Sequence, residues 1–144
     1  PVEARAPVTT IGSMTVPAIS GIHHVTLTVT DSSTAAAWYR DTLGFEILRQ
    51  FEADGLAKAM LTRDGVTIVL VGHGARAIPG PFSERRNGLD HLSLAVADRA
   101  TLEEWEAHLE AAGVIHSSLK EGSTGSLLAF RDPDNIALEF YTLG

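Results

Sequence analysis

Cysteine is absent from the 144 residues of the chain, which excludes disulfides and thiolate metal ligands. Any metal ion must therefore be held by His, Asp or Glu. Long apolar runs are also missing, since none approaches the roughly 20 residues of a membrane-spanning helix. The first residues lack the basic start and apolar centre of a secretory signal, so we expect a cytoplasmic protein.

Positive charge is scarce and scattered. The chain has 11 Lys and Arg against 18 Asp and Glu, a formal net charge of −7. An acidic surface without a basic cluster argues against nucleic acids and anionic membranes as partners. A hydrophobic fraction of 44% is enough for the core of one domain.

One stretch of the sequence is written twice. Residues 21–31 read GIHHVTLTVTD, and residues 88–98 read GLDHLSLAVAD, at an offset of 67 positions. Each copy carries a histidine at the same place, His24 in the first and His91 in the second. Both copies alternate large aliphatic residues with small or polar ones, as half-buried strands do. The histidines therefore lie on the face opposite the core.

Each copy is followed by one helical pattern and three strand patterns. Asp31 can cap the first helix and Gly44 end it, whereas a capping box at 101–104 predicts the start of the second helix. Strands are predicted at 45–51, 57–62, 66–71, 114–119, 126–130 and 136–142. The chain is thus predicted to be an α+β protein of two tandem βαβββ modules.

The predicted boundaries follow the repeat. Residues 1–20 form an N-terminal tail, 21–72 the first module, 73–87 a linker and 88–144 the second module. Residues 21–144 together form one structural domain. The linker is rich in Gly, Pro and Arg, and its length suits either a lid over a site or a plain connection.

A single glutamate, Glu139, interrupts the otherwise apolar last strand, and burying a lone carboxylate is costly. If its face is the one that carries His24 and His91, two imidazoles and one carboxylate form a three-ligand set for a divalent metal. Such donors suit Fe(II), Mn, Zn, Ni or Co. Aligning the last strands of the two modules at an offset of 70 puts Val69 opposite Glu139, so the first module offers no fourth ligand.

Three residues are candidates for catalysis beside the metal. Tyr141 shares a face with Glu139 and could donate a hydrogen bond to an oxyanion, although a core tyrosine is an equal alternative. His116 lies at a strand end where a cavity could open. Glu139 could itself act as a base by leaving the metal. We predict catalytic roles for Glu139, Tyr141 and His116, with the metal as Lewis acid.

The whole pattern resembles the vicinal oxygen chelate superfamily, through its two modules, the phrases WYRDTLGFE and RDPDNIALEF, and the histidine in each first strand. That group includes glyoxalase I, extradiol dioxygenases, fosfomycin-resistance enzymes and bleomycin-binding proteins. The resemblance covers residues 21 to 142. It implies an open, cupped mixed sheet with helices on the outer face, around one metal held by His24, His91 and Glu139. It also implies a homodimer, in which a second chain can complete the site.

The resemblance implies a metal-dependent enzyme of the glyoxalase/dioxygenase type, a lyase, isomerase or dioxygenase acting on a small oxygen-rich metabolite. Two alternatives stay open: an extradiol ring-cleaving dioxygenase, and a drug-binding resistance protein without catalysis. Val69 departs from glyoxalase I, which has a fourth ligand there. Ala129 stands where extradiol enzymes usually carry a tyrosine. Bleomycin-binding proteins lack the three ligands that this chain retains.

Overall fold

The computed structural model describes residues 9–12 and 14–143. The predicted tail lies partly outside this range, because residues 1–8 are not described. The helices are α1 (Ser32–Leu43) and α2 (Arg99–Ala111). The strands are β1 (Thr9–Ile11), β2 (Met14–Val16), β3 (Val25–Thr28), β4 (Glu46–Ala53), β5 (Leu56–Arg63), β6 (Val66–Gly72), β7 (Leu92–Val96), β8 (Lys120–Glu121), β9 (Ser126–Arg131) and β10 (Ala137–Thr142).

The strands form one open four-stranded sheet per module, preceded by a short β1–β2 hairpin. The strand orders are β3-β6-β5-β4 and β7-β10-β9-β8. In each sheet the first strand runs parallel to the last strand of its module, while the other neighbours are antiparallel. The predicted α+β fold of two βαβββ modules is confirmed. Helix α1 packs on β5 and β6, and α2 packs on β9 and β10.

The first helix begins and ends where the sequence predicts. Asp31 is the N-cap, and its carboxylate accepts a hydrogen bond of 2.7 Å from the backbone N–H of Thr34. Gly44 ends the helix with φ +72°, a left-handed conformation that a side chain would strain. A Cβ at this position would also lie 2.6 Å from Nη1 of Arg63. That guanidinium donates to the carbonyl of Leu43 at the helix end.

Two local predictions in the second module are wrong. The second helix starts at Arg99, two residues before the predicted capping box, because Asp98 accepts the backbone N–H of Thr101 at 2.8 Å. Residues 114–119 do not form a strand beyond one bridge between His116 and Phe130. There the hydroxyl of Ser117 accepts the N–H of Ala129 at 3.0 Å, so a side chain replaces the carbonyl that a strand would supply.

The two modules share a core and are joined by polar contacts. Tyr39 of α1, fully buried, donates a hydrogen bond of 2.9 Å to Asp132 in the turn between β9 and β10. The second oxygen of Asp132 accepts two backbone N–H groups, each at 2.9 Å. In α2, His108 lies 2.7 Å from the carbonyl of Thr42. Neither described helix combines the length and hydrophobicity needed to cross a bilayer.

Candidate metal and substrate site

The second module brings His91 and Glu139 together. His91 directly precedes β7, and Glu139 lies on the neighbouring parallel strand β10, opposite Ser93. Nε2 of His91 and Oε1 of Glu139 are 3.3 Å apart. The glutamate side chain is only 15% exposed, against 45% for the histidine. A mostly buried carboxylate therefore faces one imidazole nitrogen, which is how two ligands of one metal are disposed.

Asp90 orients the imidazole of His91. Its Oδ1 lies 2.8 Å from Nδ1 of His91, so the Nδ1–H donates to this carboxylate and leaves Nε2 to face Glu139. The hydrogen bond to Asp90 is the main cause that raises the pKa of His91; burial opposes it and the charge of Glu139 adds to it. A carboxylate on the far nitrogen is the usual support of a metal-binding histidine.

A cavity of about 400 Å³ opens beside these two residues. We call it the His91 cavity. Its polar lining comes from Glu84, Asp90, His91, His116, Ser117, Arg131 and Glu139. The predicted catalytic residue His116 thus shares the cavity with two predicted ligands. Its Nδ1 lies 2.7 Å from the carbonyl of Ser117 and donates to it, so Nε2 carries the lone pair.

Tyr141 is directed elsewhere. It lies on the same half-exposed face of β10 as Glu139, but it is not part of the lining of the His91 cavity. Its hydroxyl accepts the backbone N–H of Thr124 at 3.2 Å. Hydrogen bonds from Thr124, the side chain first and then the backbone, lower the pKa of Tyr141. The phenol therefore holds the 122–125 loop in this single chain.

His24 stands apart from the other two predicted ligands. It is exposed and directly precedes β3 in the first module. Its Nδ1 lies 2.8 Å from Nδ1 of the neighbouring His23. Within residues 9–12 and 14–143, no three His, Asp or Glu side chains of this one chain are grouped as metal ligands. The single chain therefore brings together two of the three predicted ligands, His91 and Glu139.

The register of the sheets supports the comparison of Val69 with Glu139. Val69 pairs with Thr26 on β3, and Glu139 pairs with Ser93 on β7. Thr26 and Ser93 are equivalent in the repeat, at the offset of 67. Val69 therefore occupies the place of the glutamate in the first module, and it has no atom that could bind a metal.

Three charged residues of the His91 cavity, Glu84, Asp90 and Arg131, were not predicted as site residues. Arg131 pairs with Ala137 on β10, so strand alternation puts it on the face of Glu139 and could have identified it. Glu84 belongs to the predicted linker, where no periodicity indicates which residues return to the site.

The comparisons with known proteins identify one family. A model of the Glyoxalase/Bleomycin resistance protein/Dioxygenase superfamily matches residues 21–140. The chain belongs to this superfamily. The superfamily assignment confirms the vicinal oxygen chelate resemblance. A glyoxylase/bleomycin resistance protein/dioxygenase domain from Frankia sp. EAN1pec is 37% identical, with a TM-score of 0.80 over 87% of this chain and 93% of that one.

More distant proteins are similar to this chain in sequence or in fold. The uncharacterized protein YaeR of Escherichia coli is 27% identical over 83% of this chain and 94% of its own length. The fosfomycin resistance protein FosX of Listeria monocytogenes, solved with Mn(II) and 1S,2S-dihydroxypropylphosphonic acid, is 19% identical, with a TM-score of 0.68 over 87% of this chain and 93% of that one. Lactoylglutathione lyase from Agrobacterium tumefaciens is 20% identical, with a TM-score of 0.65 over 87% and 95%.

Proposed function

We propose that this protein is a divalent-metal-dependent enzyme of the superfamily, acting on a small metabolite that chelates the metal through adjacent oxygens. The single observation that carries the proposal is the 3.3 Å approach of His91 Nε2 to Glu139 Oε1 in the wall of a cavity. Among the described residues, the structure gives Glu139 no other ion-pair or hydrogen-bond partner. A poorly exposed carboxylate with one imidazole neighbour is suited to a cation.

The third ligand in this proposal is His24 of a second chain. Strands β3 and β7 are edge strands, each paired with one strand of the described chain. Open edges accept further strands, and a two-fold dimer would bring β3 of each chain to β7 of the other. Ile19 and Ile22, which precede His24, are 87% and 86% exposed. Such apolar side chains suit burial against a partner. The site would thus take His24 from one chain and His91 and Glu139 from the other.

The donor set fits a metal of borderline character, such as Fe(II), Mn, Zn, Ni or Co. When bound, the metal would act as a Lewis acid for oxygens of the substrate. The match in fold to FosX, which holds Mn(II), supports a metal in this architecture. Asp90 would keep His91 in the tautomer that a metal requires.

His116 is our candidate for the general base. Its Nε2 has the lone pair, and its ring lines the His91 cavity, so it could take a proton from a substrate atom there. Glu139 remains a candidate for the same role. Ala129 is the direct partner of Glu139 on β9. A methyl group at this place offers no hydrogen bond to a catecholate, so we favour glyoxalase-like isomerase or lyase chemistry over ring cleavage.

The proposal is tested by the metal content of freshly purified protein. We expect His24→Ala to lose the metal that the wild type carries, although His24 does not contact the other two ligands within one chain. His108→Ala is the matched control, because this histidine of α2 contacts the Thr42 carbonyl of α1 and its loss should leave the metal in place. Unchanged metal content in His24→Ala would contradict the ligand assignment.

A further inference from the structure

Arg131 lies close to the proposed metal ligands on the same face of the second sheet. It pairs with Ala137, and Glu139 is two residues further along β10. Side chains in this diagonal relation are about 7–8 Å apart at their backbones and within reach of long side chains. Among the described residues that line the His91 cavity, Arg131 is the one Lys or Arg.

The guanidinium of Arg131 already binds a carboxylate. Nη2 donates to Oε1 of Glu84 at 2.9 Å, and Nη1 donates to Oε2 at 3.2 Å. This two-point geometry is the way in which arginine recognises carboxylates. Nη1 also donates to the backbone carbonyl of Asn135 at 3.1 Å. The backbone contact keeps the guanidinium at the cavity wall whether or not Glu84 is bound.

The Glu84 contact is of the kind that a ligand can replace. The side chains of Arg131 and Glu84 are 39% and 38% exposed, and ion pairs so accessible to water contribute little to stability. Hydrogen bonds from Arg131 lower the pKa of Glu84 to about 2, so its carboxylate is ionised in neutral solution. Glu84 belongs to the connection between β6 and β7, outside both sheets. Movement of this side chain would therefore break no strand pairing.

We propose that Arg131 is the subsite for a carboxylate of the substrate, and that Glu84 occupies this subsite until the ligand replaces it. This inference rests on the proposed function for the rest of the ligand: its adjacent oxygens would reach the metal at His91 and Glu139. The substrate class is then a small hydroxy- or oxo-carboxylic acid. The short separation of Arg131 and Glu139 along the sheet limits the acid to a few carbons between its two anchored ends.

The test uses the full-length protein after removal of metal with EDTA, so that it is independent of the metal site. Lactate is the probe, and its uncharged amide, lactamide, is the control. Binding is followed by the NMR signal of the Arg131 Nε–H group. We expect saturable binding of lactate and none of lactamide. Glu84→Gln should tighten lactate binding, on the order of tenfold, because a competing charge is lost.

Substitutions of Arg131 should weaken lactate binding, whereas Glu84→Gln should tighten it. Arg131→Gln should abolish lactate binding, which is measured by calorimetry because this variant lacks the NMR reporter. Arg131→Lys should bind lactate more weakly than the wild type, because lysine lacks the paired N–H donors of a guanidinium. Thermal melting of each variant controls for folding. Equal binding of lactate and lactamide would overturn the proposal, as would weaker binding in Glu84→Gln or wild-type binding in Arg131→Gln. Unchanged metal content in Arg131→Gln separates this result from a failure of the metal site.

Discussion

The two modules have the same strands in the same order, yet they differ at the positions that carry chemistry. In the second module His91 has Asp90 on its Nδ1 and Glu139 near its Nε2. In the first module His24 has His23 on its Nδ1, and Val69 occupies the place of the glutamate. The repeat thus supplies one scaffold twice, whereas the proposed metal ligands are divided unequally between the copies.

The contacts between the modules are equally unsymmetrical. Tyr39 is fully buried and binds Asp132, while its equivalent in the repeat, at the offset of 67, is Glu106. The modules are therefore joined by residues that the repeat does not share.

The largest effect on metal affinity is expected when Glu139 is replaced by valine, the residue at the equivalent place in the first module. Glu139→Val should lower metal affinity by more than about 100-fold, since removal of a ligand costs more than the loss of an outer hydrogen bond. Val69→Ala, a change at the equivalent place of the first module, should leave metal affinity as it is. Titration with Zn²⁺ against a chelating indicator measures both. Equal affinities in wild type and Glu139→Val would refute the unequal division of ligands.

A smaller loss of metal affinity is expected when the carboxylate of Asp90, which accepts a hydrogen bond from His91, is removed. Asp90→Asn keeps the size of the side chain but removes the carboxylate, and we expect metal affinity to fall about 10–100-fold. Glu103→Gln, an exposed carboxylate on α2, is the control that also removes one negative charge. If the two variants bind metal equally well, Asp90 has no specific role in the site.

The hydrogen bond between Tyr39 and Asp132, which joins the modules, should contribute measurably to the free energy of unfolding. Tyr39→Phe leaves one oxygen of the buried Asp132 without its donor, which should cost about 1–3 kcal/mol of unfolding free energy. Tyr141→Phe is the same substitution at a phenol bound to an exposed loop, and we expect at most about 0.5 kcal/mol there. Urea unfolding of both variants makes the comparison. Equal losses would mean that the Tyr39–Asp132 contact is not specific.

The smallest expected effect is a dependence of stability on pH. Burial raises the pKa of Asp132 above 3.8, against the opposing hydrogen bonds from Ile136 and Tyr39. The folded state then binds a proton more tightly than the unfolded state. This stabilisation is complete below the unfolded pKa and is lost as pH rises through the folded pKa. Unfolding free energies of wild type and Asp132→Asn should therefore diverge with rising pH, the wild type losing more. A constant difference would show that this pKa is not raised.

Much of the fold could be predicted because it depends on local patterns. Period-two alternation, Asp31 and Gly44 predict strands and a helix from neighbouring residues alone. Residues 114–119 do not form the predicted strand. The N–H of Ser117 does bond to the carbonyl of Ala129 on β9, but the hydroxyl of Ser117, rather than its carbonyl, accepts the N–H of Ala129. That substitution depends on tertiary contacts.

The candidate site could be predicted only in part. Strand alternation and the resemblance predict His24, His91 and Glu139 as metal ligands. No sequence pattern within one chain, however, shows which sheet edges lie next to each other. Glu84 could not be predicted from periodicity, because it lies in the connection between β6 and β7. His116 lines the His91 cavity, its catalytic role stays a prediction, and the strand expected to hold it is a single bridge.

A metal site shared by two chains is tested most directly by mixing two defective variants. His24→Ala and Glu139→Gln should each purify without metal. When they are unfolded together in equal amounts and refolded with Zn²⁺, half of the dimers should be mixed, each with one intact site. The refolded mixture should therefore recover about one quarter of the wild-type metal content. No recovery, with wild type regaining its metal in the same procedure, would contradict a site formed between two chains.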